Sequence, residues 1–162
     1  MATPYTVIVD AFLKWVEKDV DFFHYFHMTD EEAMSLAKSR SLDFLSEALG
    51  RLMLECAPPV DFNDCDDQQQ QFNFDLTQKE VYLISSLMYE RYLDRDFAFL
   101  KLYNVNFSSA DLNVFDPSNA RKTFITIYEK VENRNKHLID EYKNRDRTTG
   151  KLIGIDYAKD AL

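Results

Sequence analysis

Acidic residues are densest in one short stretch of the chain, where Asp61, Asp64, Asp66 and Asp67 could ligate calcium. An EF-hand loop that started at Asp61 would need Gly at its sixth position and a bidentate Glu at its twelfth. The chain has Asp66 and Phe72 at those positions. The stretch therefore does not match a calcium loop.

Two histidines, His24 and His27, are three residues apart and could meet on one face of a helix. A zinc site would need two further ligands, and the two cysteines, Cys56 and Cys65, lie well along the chain without a C-x-x-C pattern. Histidines among Phe and Tyr are more often packed at the core or its rim, and His137 stands alone. We expect no metal site and no cofactor.

Catalytic signatures are also missing from the sequence. It contains no G-x-S-x-G, no P-loop, no G-x-G-x-x-G and no H-E-x-x-H. The 28 acidic residues guarantee coincidental carboxylate pairs, and a true acid–base pair is recognised by geometry and perturbed pKa. We therefore expect no catalytic residues, and we interpret the chain as an interaction or assembly protein rather than an enzyme.

The composition predicts a helical protein, because only 3 of the 162 residues are Gly and 4 are Pro, while 46% are hydrophobic. Sandwiches and barrels need frequent turn residues, so this scarcity favours long helices in one domain. We predict an all-α fold, a bundle of about four main helices with an extended C-terminal tail. The bundle spans residues 1–146 with a mobile acidic loop at 57–75, and residues 147–162 form a docking tail.

The helix starts are marked by capping residues and prolines. The predicted starts are Thr3-Pro4, the capping box Thr29 to Glu32, the capping box Thr77 to Glu80, and Asp116-Pro117. Leu76 and Val81 occupy the positions of a hydrophobic staple around the third start. The second helix should stop at Pro58-Pro59, and the fourth should last to about Asp146. The third ends near Asp94 or continues through 97–103.

The charge is large and unevenly distributed. The chain has a net charge of −9, which opposes non-specific binding to nucleic acid or to anionic membranes. Residues 1–116 contain 9 Lys/Arg and 21 Asp/Glu, whereas residues 117–162 contain 10 and 7. Such a split can arise by chance, and it is also what a head-to-tail oligomer would use.

The chain start and the hydropathy predict a protein made and kept in solution in a reducing cytosol. Met1 to Tyr5 lacks the basic region of a signal peptide, and two cysteines are few for a secreted protein. No apolar run approaches the ~20 residues that cross a bilayer.

Two apolar segments leave alternatives open. The stretch 20–28 is rich in aromatic residues and either packs into the core or forms an exposed patch for a partner. At the C-terminus, Leu152, Ile153, Ile155 and Tyr157 form a β-prone cluster around Gly154. That tail either folds back on its own domain or inserts into a neighbouring protein.

One pattern extends beyond composition. It comprises Phe72 to Thr77, Lys79 to Met88, Tyr92-Leu93, Asn106 to Ser108, and Pro117 to Ala120 at the head of a long charged helix. This pattern, over residues 72–146, resembles the small α-helical head–tail connector (neck or adaptor) proteins of tailed phages of Gram-positive bacteria. The resemblance implies a ring of identical copies, expected to be twelve, under the portal protein. It also implies partners among stopper or tail-completion proteins, a place in the virion, and DNA that passes through the channel without specific binding.

On this reading, cations of the fourth helix would contact acids on the first three helices of the neighbouring subunit. These cations are Lys122, Lys130, Arg134 and Lys136. Leu152, Ile153, Ile155 and Tyr157 would form the docking segment, so a chain without residues 148–162 should fold but not join the portal. The alternatives are a small acidic inhibitory or regulatory protein that binds a basic host protein, and a tail-completion protein.

Overall fold

The computed structural model describes residues 2–16, 29–106 and 117–154. The elements in chain order are β1 (Thr3–Pro4), α1 (Tyr5–Val16), α2 (Asp30–Cys56), β2 (Cys65–Asp66), β3 (Gln71–Phe72), α3 (Gln78–Asn106) and α4 (Pro117–Lys143). The described part is thus mostly helical, as the composition predicts. It also contains a small antiparallel sheet in the order β1-β3-β2, so the prediction of an all-α fold is correct only at the coarser level.

Three of the four predicted helix starts are confirmed. Thr29 caps α2, where its hydroxyl accepts from the amide of Glu32 and its own amide donates to that carboxylate. Thr77 and Glu80 make the same reciprocal bonds at the start of α3. Helix α4 begins at Pro117. These signals work because each joins residues within one turn of the chain.

The start of α1 differs from the prediction. Thr3 does not cap this helix but lies in β1, where it pairs with Phe72. Its hydroxyl donates to the carbonyl of Phe74 and accepts from the amide of Leu76, at 3.1 and 2.9 Å. Helix α1 begins at Tyr5, whose amide donates to the carbonyl of Gln70. The N-terminus is therefore fastened to a segment about seventy residues away, which no local pattern could reveal.

The segment 57–75, predicted to be a polar surface loop, contains β2 and β3 and contributes to the core. The side chains of Phe62 and Phe72 are 1% and 0% exposed, and their rings pack edge to face with centroids 6.2 Å apart. Asp66 stabilises the turn between the strands, because its carboxylate accepts from two turn amides. The prediction weighed the polar residues of this stretch and overlooked the spaced phenylalanines among them.

Helix α3 is the central element of the bundle and packs against each of the other three helices. Helices α1 and α4 both pack against α2 and α3, and they meet where the Arg134 guanidinium of α4 lies over the Trp15 ring of α1. The buried side chains include Ile8, Phe12, Leu52, Ile84, Leu87, Met88 and Ile139. Since consecutive helices alternate in direction, the starts of α1 and α3, the ends of α2 and α4, and the sheet all lie at one end of the bundle.

The ends of α2, α3 and α4 lie within about three residues of predicted positions. Helix α2 stops at Cys56, as the prolines predict, and Ala57 follows in the left-handed conformation with φ of 43°. Helix α3 takes the longer of its two predicted extents and reaches Asn106. Helix α4 ends at Lys143, slightly before the expected point. The aromatic stretch 20–28, with His24 and His27, lies outside the described residues.

Candidate docking surface at the sheet end of the bundle

The residues that follow α4 form a compact turn, residues 144–153, which we call the C-terminal hairpin. Three backbone hydrogen bonds of 2.8 Å close it, from Asp146 to Lys151, from Gly150 to Asp146, and from Ile153 to Asn144. Gly150 has φ of 67°, a conformation that glycine adopts without strain. The hairpin is therefore a defined element of structure at the sheet end of the bundle.

Asp146 organises the turn of this hairpin. Its carboxylate accepts from the amide and the hydroxyl of Thr149, both at 2.7 Å, and from the amide of Thr148. The bonds from Thr149 lower the pKa of Asp146, because they favour the charged carboxylate. The negative charge of Asp146 is thus committed to the turn.

Arg147 joins the hairpin to the start of α3. Its guanidinium donates to both carboxylate oxygens of Glu80, at 2.7 and 3.0 Å, and to the carbonyl of Asp75. Glu80 is fully buried and also accepts from the amide of Thr77 and the hydroxyl of Tyr142. This bidentate, buried ion pair connects residues 67 positions apart.

The pKa of Glu80 reflects these contacts. Burial alone would raise it, but the hydrogen bonds from Arg147, from the Thr77 amide and from Tyr142 outweigh burial and lower the pKa below its ordinary value. Burial and the bond to Glu80 raise the pKa of Tyr142. Glu80 is therefore an ionised, fully satisfied carboxylate that positions other groups.

The predicted docking residues lie on this hairpin as far as the structure describes them. Leu152 and Ile153 are 70% and 58% exposed, which is unusual for adjacent large apolar side chains. Ile155 and Tyr157 lie outside the described residues. Arg147, the first residue of the predicted tail, bonds to Glu80 of α3. The hairpin therefore both folds back on its own domain and presents apolar side chains to solvent.

A cleft of about 270 Å³ lies beneath the hairpin, between the start of α3 and the end of α4. Its apolar walls include Tyr82 and Leu83 of α3 and Leu138 of α4. The ammonium of Lys79 lies close to Gly150, 3.1 Å from where a Cβ would stand. A side chain at Gly150 would therefore meet both a strained backbone and this ammonium group.

The four α4 cations predicted to contact a neighbour have different surroundings. Lys122 and Lys130 are exposed. Lys136 pairs with Glu132 of the same helix at 2.8 Å. Arg134 is half-buried, donates to the hydroxyl of Ser86 at 2.9 Å, and lies 4.6 Å from the centre of the Trp15 ring. Arg134 thus has an intramolecular role that the prediction did not include, and subunit contacts of the three lysines stay predictions.

Sequence reasoning missed a buried polar network that crosses the bundle. Asn135 is fully buried and donates to Glu90 at 2.6 Å and to the carbonyl of Ser86, while it accepts from the Ser86 hydroxyl. The other oxygen of Glu90 accepts from Arg51 at 2.6 Å. The network joins α2, α3 and α4. The sequence signal for this network was Asn135, a polar residue four positions from both Val131 and Ile139 on the apolar face of α4.

The acidic residues and the cysteine that were considered as metal ligands have structural roles wherever the structure describes them. Asp61 caps Asn63, Asp64 binds the side chain of Asn73, and Asp66 caps its turn. Burial raises the pKa of the Cys56 thiol to about 11, so it stays protonated at neutral pH. Within residues 2–16, 29–106 and 117–154, no group of three His, Cys, Asp or Glu is placed to bind a metal ion.

Comparison with known proteins found no relative of this chain. Neither protein-family models, nor curated proteins, nor solved structures gave a match to this chain. A search of the described helices for a membrane span found none that combines the necessary length and apolarity. Interpretation of function therefore depends on the exposed and charged surfaces described above.

Proposed function

We propose that this protein is a head–tail connector subunit of a tailed phage, made in the host cytoplasm and built into the virion. Its copies form a ring under the portal protein, join the capsid to the tail, and let DNA pass without specific binding. The observation that carries this proposal is the exposed pair Leu152–Ile153 on a hairpin fixed by a buried ion pair. Such an apolar site on an ordered element suits insertion into another protein.

Two further features support an assembly role. The pattern that resembles connector proteins begins at β3 and the capping box of α3, and this is where Arg147 anchors the hairpin. The net charge of −9 suits a channel wall, because like charge keeps the DNA backbone from adhering during passage.

The proposal is tested by binding to the portal protein of the same phage. The double variant Leu152→Ser/Ile153→Ser should bind the portal at least about tenfold more weakly in co-sedimentation, because it loses two buried side chains from the contact. Leu54→Ser is the matched control, since Leu54 is 89% exposed on α2 and outside the hairpin. Equal binding by the double variant and the control, or no binding by the unaltered chain, would contradict the proposal.

The main alternative, an acidic inhibitor, predicts a different partner. It would bind a basic host protein through its acidic residues and would not need the apolar pair. In the same experiment, such a protein would leave the portal unbound and would bind a basic partner equally well with and without Leu152 and Ile153.

A further inference from the structure

The cleft beneath the C-terminal hairpin is bordered by the bundle and by the hairpin together. The start of α3 and the end of α4 form its walls, and Asp146, Arg147 and Gly150 border it from the hairpin. Arg147 fastens the hairpin over this space through its ion pair with Glu80 of α3. A molecule in the cleft would therefore touch the bundle and the hairpin at once.

Apolar side chains line the interior of the cleft. Tyr82 and Leu83 line it from α3, and Leu138 and Tyr142 line it from α4. The hydroxyl of Tyr142 already donates to Glu80 at 2.8 Å, so its polar atom needs no partner from a ligand. Tyr82 is 44% exposed, and Leu138 is only partly buried. An apolar group that entered the cleft would therefore remove apolar surface from water at both walls.

Most of the charged groups that border the cleft have partners within the protein. Arg147 is neutralised by Glu80, and Glu141 accepts from Arg145 at 3.4 Å. The carboxylate of Asp146 accepts hydrogen bonds from donors of its own turn. These groups therefore bring little free charge to the cleft.

Lys79 differs from the other charged groups at this border. Its side chain is exposed, it lines the cleft, and its ammonium lies close to Gly150 of the hairpin. None of the ion pairs within the part of the chain that the structure describes includes Lys79. The cleft thus combines an apolar interior with one unpaired cation at its edge, on a chain whose net charge is −9.

This combination determines the class of ligand. An apolar tail suits the interior, and an anionic head suits the ammonium at the edge. A single ammonium balances a monoanion such as a carboxylate, whereas a dianionic phosphate would keep excess negative charge close to Glu141 and Asp146. The cleft of about 270 Å³ is small beside the range of about 300–1,000 Å³ for ligand sites, so the ligand must be small too.

We propose that the cleft binds a small amphipathic carboxylate. The carboxylate pairs with the Lys79 ammonium, and the apolar tail lies between Tyr82 of α3 and Leu138 of α4. Because the hairpin borders the same cleft, the bound ligand also holds the hairpin against the bundle. This inference adds a ligand site to the protein and does not depend on the connector function.

Titration of the full chain with octanoate tests the site. Trp15 is the single tryptophan, and its ring lies 5.7 Å from that of Tyr82, so occupation of the cleft should change its fluorescence. We expect saturable binding with a Kd on the order of 1 mM, because a ligand of about ten non-hydrogen atoms gains little free energy. Butanoate, with the same charge and a shorter tail, should bind at least about tenfold more weakly.

Charge reversal identifies the cation. Lys79→Glu should raise the Kd for octanoate at least about fivefold, because the carboxylate then faces a like charge. Lys130→Glu is the matched control, since Lys130 is exposed on α4 outside the cleft and undergoes the same change of charge. If Lys79→Glu does not fold, Lys79→Gln replaces it, with Lys130→Gln as its control. Equal weakening by the two members of a pair, or no saturable binding by the unaltered chain, would overturn the inference.

Hydrogen exchange locates the ligand. The amides of Asp146 and Gly150 are bonded within the hairpin. At ten times the Kd of octanoate their exchange should slow by about tenfold, because the ligand binds only the closed hairpin. The amides of Asp64 and Asn73, bonded in the sheet segment outside the cleft, should not change. Protection of the sheet amides without protection of the hairpin amides would place the ligand elsewhere and overturn the inference.

Discussion

Replacing Arg147 with methionine should destabilise the bundle, although Arg147 follows the last helix and would be classed by sequence as part of a tail. Methionine preserves much of the aliphatic length and removes the guanidinium that binds Glu80. Glu80 is 0% exposed and keeps only its bonds from Thr77 and Tyr142 in this variant. The substitution therefore leaves a buried carboxylate without its counter-charge.

Two figures limit the expected loss in the free energy of unfolding. Removing one partner of a buried ion pair costs about 3–5 kcal/mol, and the bonds that remain on Glu80 reduce this figure. The carboxyl can also escape by taking up a proton, which at pH 7 costs about 3.7 kcal/mol for a group of ordinary pKa near 4.3. We expect the free energy of unfolding to fall by about 2–3 kcal/mol at pH 7.

The pH dependence identifies the cause. In the unaltered chain the pKa of Glu80 is lowered, so its contribution to stability is present above the ordinary pKa and is lost as the pH falls through the lower folded-state value. In Arg147→Met we expect the pKa of Glu80 to be raised instead. The stability deficit of the variant should therefore shrink as the pH is lowered from 7 towards 4.5.

Urea denaturation followed by circular dichroism measures these differences. The double variant Glu80→Gln/Arg147→Met is the control, because glutamine retains the capping box and needs no counter-charge. It should recover most of the lost stability. A deficit below about 1 kcal/mol at pH 7, or a deficit that does not change with pH, would refute the reasoning that Arg147 neutralises a buried carboxylate.

Four further substitutions can be measured in the same way. Thr77→Ala removes the cap of α3 and should cost about 1–2 kcal/mol; a loss under about 0.5 would contradict the capping role. Asn135→Leu leaves Glu90 and a backbone carbonyl short of a donor and should cost about 2–3 kcal/mol, whereas a neutral result would mean that the network adds no stability. Arg134→Ala should cost about 1–2 kcal/mol in the monomer, and Lys122→Ala under about 0.5; equal losses would argue against the Trp15 contact.

The sequence predicted those parts of the fold that depend on contacts within one helical turn. Both capping boxes were recognised because a threonine and a glutamate three residues apart stabilise a helix start wherever it lies. The proline at the start of α4 works in the same way. Thr3 was misread because its partners, Phe74 and Leu76, are more than seventy residues away. The sheet was missed because each of its strands is only two residues long.

In the candidate docking surface, too, local features could be predicted from the sequence and distant contacts could not. Leu152 and Ile153 were identified from their apolar character between two glycines, and they are exposed on the hairpin. The contact that positions them, Arg147 on Glu80, joins two charged residues among 47 and has no local signature. Arg134 was assigned to a neighbouring subunit as one of the cations of the fourth helix, whereas in the structure its guanidinium lies over the ring of Trp15.

Native mass spectrometry of the complex with the portal of the same phage tests the connector proposal most directly. The account predicts a species whose mass exceeds that of the portal ring by many copies of the 19.1 kDa chain, twelve if the ring matches the connector family. The Leu152→Ser/Ile153→Ser variant should leave the portal at its own mass. An unaltered chain that stays a monomer beside an unoccupied portal, or that binds one basic host protein instead, would contradict the account.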